Sequence, residues 1–340
     1  MAGSKFRSTQ IAYRPAKRLT ILAGFALIGL AAFSAGALAQ GTYPNRPIKI
    51  VVAYAPGGAN DLVARLVAQK LSEEIGQSVV VENKPGAGGI LGTDSVARAE
   101  PDGYTLLLGA GGALTINPSL YPSLPYKPQS DFEPISQVAT SSLVAVVNPA
   151  LPVKNFKELV QYAAKRPQGL TYASPGTGTP LHLAGEMVKS MTGINMLHVA
   201  YKGSGPALTD LISGQVDLMF DVIGTALPHI RSGKLRPIAV TAKQREKALP
   251  DVPTLDEDGL KEFNVTVWYG LFAPARTPSD ILQRLESALV KIGTLPDVRK
   301  RLDTLELTPA AEGRAALGRQ VAEEIPRWAR IVKQSGAKVE

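Results

Sequence analysis

The chain has 340 residues, 37 lysines and arginines against 29 aspartates and glutamates, and a formal charge of +8. Five of those basic residues and no acid fall within residues 1–40, leaving about +3 mixed among acids on the remainder, which is no electrostatic footprint for nucleic acid. Cysteine is absent, so disulfides, thiolate nucleophiles and lipid attachment at a cysteine are excluded and the fold must hold through its core alone.

Lys5, Arg7, Arg14, Lys17 and Arg18 precede an apolar run at residues 19–33 and the small-residue stretch Ala37-Leu38-Ala39 before Gln40. These are the three parts of a secretory signal peptide. The apolar run is shorter than the roughly 20 residues of a spanning helix, so residues 1–39 are read as a cleaved signal and the mature protein as periplasmic. The rest is long enough for two lobes, each with a core of its own.

Residues 50–65, IVVAYAPGGANDLVAR, carry the sharpest signal. Ile50, Val51, Val52 and Ala53 predict a buried strand, and Pro56-Gly57-Gly58 lets backbone approach a ligand with no Cβ in the way. Asn60 or Asp61 is the expected cap of a helix whose apolar face runs through Val63, Val67, Leu71 and Ile75 and which stops at Gly76. The free N–H groups and dipole at such a helix start favour a carboxylate or phosphate. An ordinary strand-to-helix turn has the same ingredients.

A strand is expected at residues 78–81, a loop at 85–89, a helix at 90–99 and a strand at 104–108. The loop reads GAGGILG over residues 86–92, but its spacing is G-x-G-x-x-x-G and Pro85 interrupts the approach. It is therefore read as a tight turn packing helix on strand, and no cofactor is expected. Residues 117–134 are proline-rich and expected to wrap the surface irregularly. A strand at 143–147, a helix at 154–165 and a strand at 170–173 lead into Ser174-Pro175-Gly176-Thr177-Gly178-Thr179-Pro180. There Thr179 is the expected N-cap and Pro180 the first residue of a helix that ends at Gly193. A strand at 195–201, the loop 202–205, a short helix begun by Pro206 and a strand at 216–220 ending at Asp221 follow, and the chain is expected to be helical from Ser279 onward. This alternation is an α/β pattern, with two anion-ready loops placed to hold one ligand between lobes.

The candidate ligand-binding residues are Tyr54, Pro56, Gly57 and Gly58 in the first loop, Gly111 and Ser141 toward the distal end, Ser174, Gly176 and Thr177 in the second loop, and Asp221. A carboxylate at Asp221 could accept from a ligand ammonium or hydroxyl, or it could cap the following segment. His182 and Glu186 lie four apart on one helix without a third ligand, so no metal is expected. Lys202 reads as a solvated loop charge. No G-x-S-x-G elbow occurs, and three scattered histidines are weak material for a nucleophile and base. An exported enzyme using Asp221 and His182 as acid and base, a ligand sensor and a pure interaction protein remain as alternatives.

Residues 50–65, 79–108 (VVVENKPGAGGILGTDSVARAEPDGYTLLL), 198–220 (HVAYKGSGPALTDLISGQVDLMF), and 233–241 with 249–254 together resemble the Bug receptors, the extracytoplasmic solute-binding proteins of tripartite tricarboxylate transporters. The resemblance spans the mature chain. It implies a two-lobed type II periplasmic-binding-protein fold with a hinge and an interlobe cleft that closes on a small carboxylated ligand, an organic, amino or aromatic acid. It further implies that backbone amides, hydroxyls and water hold the carboxylate, and that the partners are membrane transporter subunits or a sensor kinase. The expected lobes are residues 41–141 with 268–340, and residues 142–267, with crossovers near 140–143 and 265–272. The mature protein is expected to be a monomer and not an enzyme.

Overall fold

The core of the first lobe is built on β1 (Ile48–Val52), buried at four of its five positions because helices cover both faces of its sheet. The computed structural model describes residues 1–5, 7–10 and 43–338; the apolar run of the expected signal peptide and its cleavage point after Ala39 lie outside them. Contacts divide the chain into Met1–Asn45 and Arg46–Glu340, and the second unit carries the fold.

From β1 the chain passes through α1 (Ala59–Ile75) to β2 (Val79–Asn83), then through α2 (Ile90–Ala97) to β3 (Thr105–Ala110). Both β2 and β3 lie parallel to β1. A π-helical turn at Gly112–Ile116 and the short α3 (Asn117–Leu120) lead to β4 (Phe132–Val147). The second lobe follows: α4 (Phe156–Ala164), β5 (Leu170–Ser174), α5 (Pro180–Thr192), β6 (Met196–Ala200), α6 (Ser204–Ile212), β7 (Leu218–Val222), α7 (Ile223–Arg231) and β8 (Arg236–Val240). The chain then returns along β9 (Thr266–Pro274), α8 (Ser279–Thr294), α9 (Pro296–Thr304), β10 (Thr308–Gly313) and α10 (Arg314–Ser335).

Strand β4 belongs to both lobes. Between Phe132 and Ser142 it pairs antiparallel with β9, which in turn pairs with β3; from Leu143 to Val147 it pairs with β7 on one side and β8 on the other. The expected strand at 143–147 is therefore only the second half of a longer one. Its first half hid behind Pro134 and the polar Ser136 and Gln137. Proline is tolerated there because the register slips between Pro134 and Ser136, so no ladder N–H is missed. Residues 117–134 likewise hold a helix and a strand start rather than one irregular wrap, and β10 interrupts the expected helical C-terminal run to pair with β4.

Where the chain crosses between lobes a second time, the buried Thr241 joins both crossings. Its hydroxyl donates to the Val265 carbonyl at 2.7 Å and accepts from the Leu143 amide at 3.0 Å. Replacing Thr241 with the isosteric valine leaves the buried Leu143 amide and Val265 carbonyl each short of a partner. The expected loss is about 1–3 kcal/mol in urea unfolding, read as a lower midpoint at unchanged slope.

Candidate functional site

Four helices start at one place. The cleft between the lobes is lined by Tyr54, Ala55, Gly58, Ala59, Asn60 and Ala110 from the first lobe, by Pro175, Thr179, Pro180, Leu181, Ser204 and Val222 from the second, and by Val267 and Tyr269 on β9. Gly58 is the N-cap of α1, Thr179 that of α5 and Val222 that of α7, and Ser204 opens α6. Each helix start brings orphan N–H groups and the positive end of a dipole. No lining residue is basic or acidic, so any pull on an anion would come from these helix starts and not from a charged side chain.

The lobes meet around this cleft through backbone and glycine. The Ala55 amide donates to the Lys202 carbonyl at 2.9 Å. A Cβ on Gly88 would collide with the Thr177 carbonyl, one on Gly178 with the Asn117 side chain, and one on Gly112 would stand 2.9 Å from the Gly178 carbonyl. The 86–92 loop is thus more than a local turn: Gly88, at φ 60°, faces the second lobe across the seam. Tyr54 Oη reaches the Gly88 carbonyl at 3.5 Å.

The predicted residues fall into two groups. Tyr54 and Gly58 line the cleft, and Pro56 and Gly57 stand exposed at its mouth. The helix cap is Gly58, not Asn60 or Asp61. Asp61 instead sits in the first turn and accepts from the Gly57 amide at 3.1 Å, from Arg65 and from Asn83, so the Gly57 N–H is already engaged. Burial pushes the Asp61 carboxyl up, but those hydrogen bonds outweigh it and hold the group below its ordinary range. Gly58 has an ordinary φ of −84°, and a Cβ there would face Ser204 at 3.7 Å; what this position supplies is room. Gly176 and Thr177 lie on the seam opposite Gly88.

The remaining candidates stand behind the cleft wall. Gly111 faces Thr115, Trp268 and Glu324, while its neighbour Ala110 lines the cleft. Ser141 donates to the Ser142 carbonyl at 3.0 Å, and the residue paired with it, Val267, lines the cleft. Ser174 Oγ lies 2.7 Å from His198 Nε2 and accepts from the Gly176 amide. His182 accepts from the Gly178 amide, and its ring centroid is 4.2 Å from that of His198. Burial holds both imidazoles well below the ordinary histidine range, so they brace the second loop as neutral rings. Lys202 is exposed, with its carbonyl on the seam.

Asp221 is wholly buried. Its Oδ1 accepts from Ser204 Oγ at 2.8 Å and its Oδ2 from Thr225 Oγ1 at 2.6 Å, so it orients the serine that faces the cleft. Burial pushes its carboxyl up to about 6 against the pull of those two hydroxyls. Among the lining residues, sequence reasoning foresaw only Tyr54 and Gly58 as such; those missed include Ala59, Asn60, Thr179, Ser204, Val267 and Tyr269. The available signal was Tyr269 itself, a hydroxyl in the otherwise apolar run VWYGLFA.

The family described as tripartite tricarboxylate transporter family receptor matches residues 63–337. BugT of Bordetella pertussis is 37% identical over 318 residues, covering 92% of this chain and 98% of its own. Among solved structures, Rpa4515 of R. palustris with adipate superposes with a TM-score of 0.85 at 34% identity, covering 87% of this chain and all of its own. MatC from Rhodopseudomonas palustris with bound malate superposes at 0.82 and 35%, covering 85% of this chain and all of its own.

A carboxyl whose pKa is raised on folding stabilises the fold only while protonated. The contribution of Asp221 is therefore complete below its ordinary value of 3.8 and lost as pH climbs through about 6. The stability of Asp221→Asn relative to the parent should improve by on the order of 2 kcal/mol from pH 4 to pH 7 in chemical denaturation. A difference independent of pH would show that this carboxyl ionises as readily in the folded chain as in the unfolded one.

Proposed function

The chain belongs to the tripartite tricarboxylate transporter receptor family, the Bug-type receptors, and from that premise we propose that it captures a small organic diacid in its interlobe cleft and delivers it to the membrane subunits of such a transporter. The convergence of four helix starts on a cleft without charged side chains carries this reading. Relatives holding adipate and malate support the diacid class. The family consists of solute-binding receptors, and its members are periplasmic binding proteins.

On this reading Gly58, Ala59, Thr179 and Ser204 contact the ligand through backbone and hydroxyl groups, Tyr54 closes one wall, and Asp221 acts through Ser204. The partner switch of β4 between Ser142 and Leu143, and the return along β9, support a division into residues 41–141 with 268–340 and residues 142–267. Residues 1–39 are removed on export, so protein recovered from the periplasm should begin at Gln40. An intact N-terminus in the membrane fraction would speak for an anchor instead.

Two measurements test the capture. A thermal-shift screen of linear C4 to C6 diacids should find at least one that stabilises the protein by about 2.7 kcal/mol at a hundred times its dissociation constant, and the same diacid should not be turned over. Gly58→Val fills the space toward Ser204, and Gly88→Val puts a branched side chain into the Thr177 carbonyl. Each should weaken binding at least tenfold in calorimetric titration. For Gly88→Val, small-angle scattering should also fail to show the compaction that ligand produces in the parent. Parent-like affinity in both variants would remove the seam and the first loop from the site.

A further inference from the structure

The cleft opens where β3 and β9 separate. Their ladder runs from Leu107 opposite Phe272 to Ala110 opposite Tyr269 and ends there. Past that point the first branch turns off through Gly111 into the π-helical turn, and the second, at Trp268 and Val267, is paired among the described residues with β4 only. Ala110, Val267 and Tyr269, around this fork, line the cleft. Strand alternation sends the intervening Trp268 the other way, where it is buried against α10.

One carboxylate oxygen spans the fork. Glu324 Oε2, on α10, accepts from the Trp268 indole at 2.8 Å on the β9 branch. It also lies 3.0 Å from the Thr115 hydroxyl on the other branch, which in turn reaches the Gly111 carbonyl at 2.7 Å. The branches are close here: a Cβ on Gly111 would stand 3.4 Å from the Trp268 indole nitrogen and 3.6 Å from Glu324 Oε2. Trp328 donates to the same oxygen at 3.3 Å, and Gln320 to Oε1 at 3.4 Å. Two indoles, a hydroxyl and an amide thus hold this carboxylate, with no lysine or arginine paired to it among the described residues. A charged acceptor shared by neutral donors fixes where those donors stand, because hydrogen bonds to a charge are roughly twice as strong as neutral ones. An indole N–H can only donate, so without Glu324 the buried Trp268 nitrogen loses its acceptor.

We infer that Glu324, which does not itself line the cleft, is a positioning residue for ligand capture: by clamping the two branches it holds Ala110, Val267 and Tyr269 where a ligand meets them. The π-helical turn carries the clamp to the second lobe, since a Cβ on Gly112 would stand 2.9 Å from the Gly178 carbonyl. This deepens the capture reading and rests on it.

Adipate and malate, titrated calorimetrically into the parent, Glu324→Leu, Glu324→Gln and Val332→Ala, make the test; the last truncates a buried residue further along α10. Folded Glu324→Leu should bind the better of the two acids about tenfold more weakly than the parent. Glu324→Gln, whose amide oxygen still accepts from the indole, should recover affinity to within about threefold of the parent, and Val332→Ala should lose stability at parental affinity. The chain holds two tryptophans and both donate to this oxygen, so both indole N–H signals in the NMR spectrum should move in Glu324→Leu and much less in Glu324→Gln. Affinity within about threefold of the parent in Glu324→Leu, Glu324→Gln binding no tighter than Glu324→Leu, or an equal loss in Val332→Ala overturns the inference. Binding of neither acid by the parent bears on the diacid reading alone, and hydrogen exchange of the ligand-free protein then decides the clamp. Residues 110–115 and 266–269 should exchange faster in Glu324→Leu and not in Val332→Ala, and a change confined to α10 overturns it. Should Glu324→Leu fail to fold, Trp268→Phe breaks the same hydrogen bond from the other side and is held to the same thresholds.

Discussion

Unpaired N–H groups at the ends of helices govern this molecule. A helix start carries roughly half a positive charge, and water or a side chain ordinarily neutralises it. Here four such starts are gathered on one cleft, and its walls are alanine, proline, valine, leucine and a few hydroxyls rather than acids. Gathering like partial charges in a poorly solvated place is unfavourable until an anion arrives, so the empty site and the filled site differ in how comfortably the lobes lie together. The sheet architecture is what forces the gathering. Parallel strands β1, β5, β6 and β7 all deliver their following helices at their carboxyl ends, and β4, shared between the lobes, brings those ends face to face.

The loops were legible because loop chemistry is local. Thr179 caps α5 and Pro180 opens it, Gly193 ends it in a left-handed conformation, and Gly76 does the same for α1. These assignments need only a few neighbouring residues. The cap of α1 was misread because Asp61, a good capping residue by type, folds back onto Gly57 and Arg65 instead. The first half of β4 was invisible for the opposite reason. Its pairing with β9 and β10 joins segments over 100 residues apart, and that non-local ladder overrides a weak local propensity and a proline.

The cleft walls divide in the same way. Tyr54 and Gly58 could be named because they adjoin the glycine loop, whereas Tyr269 reaches the site on the returning strand and only the pairing register shows which face it takes. Ser174 and Asp221 were singled out as polar residues at strand ends. They sit one layer deeper, Ser174 against His198 and the Gly176 amide, and Asp221 against Ser204 and Thr225. Strand ends are where ligands bind, but the same positions also hold the polar groups that keep the binding loops in shape.

The seam between the lobes has an evolutionary corollary. Its contacts bring main chain close to main chain at Gly88, Gly112 and Gly203, with Ala55 bonded to Lys202 through backbone atoms, while Gly178 packs against the Asn117 side chain. On the proposed reading, closure would make little use of side-chain identity, while discrimination between cargoes would draw on the side chains inside. A duplicated copy could drift at Tyr269 or Asn60 toward a new cargo and keep its jaw intact. Glycine at the rim cannot drift so freely, since any side chain there props the jaw open for every cargo alike. Large sets of receptors with one mechanism and many cargoes are what such an arrangement makes easy to generate.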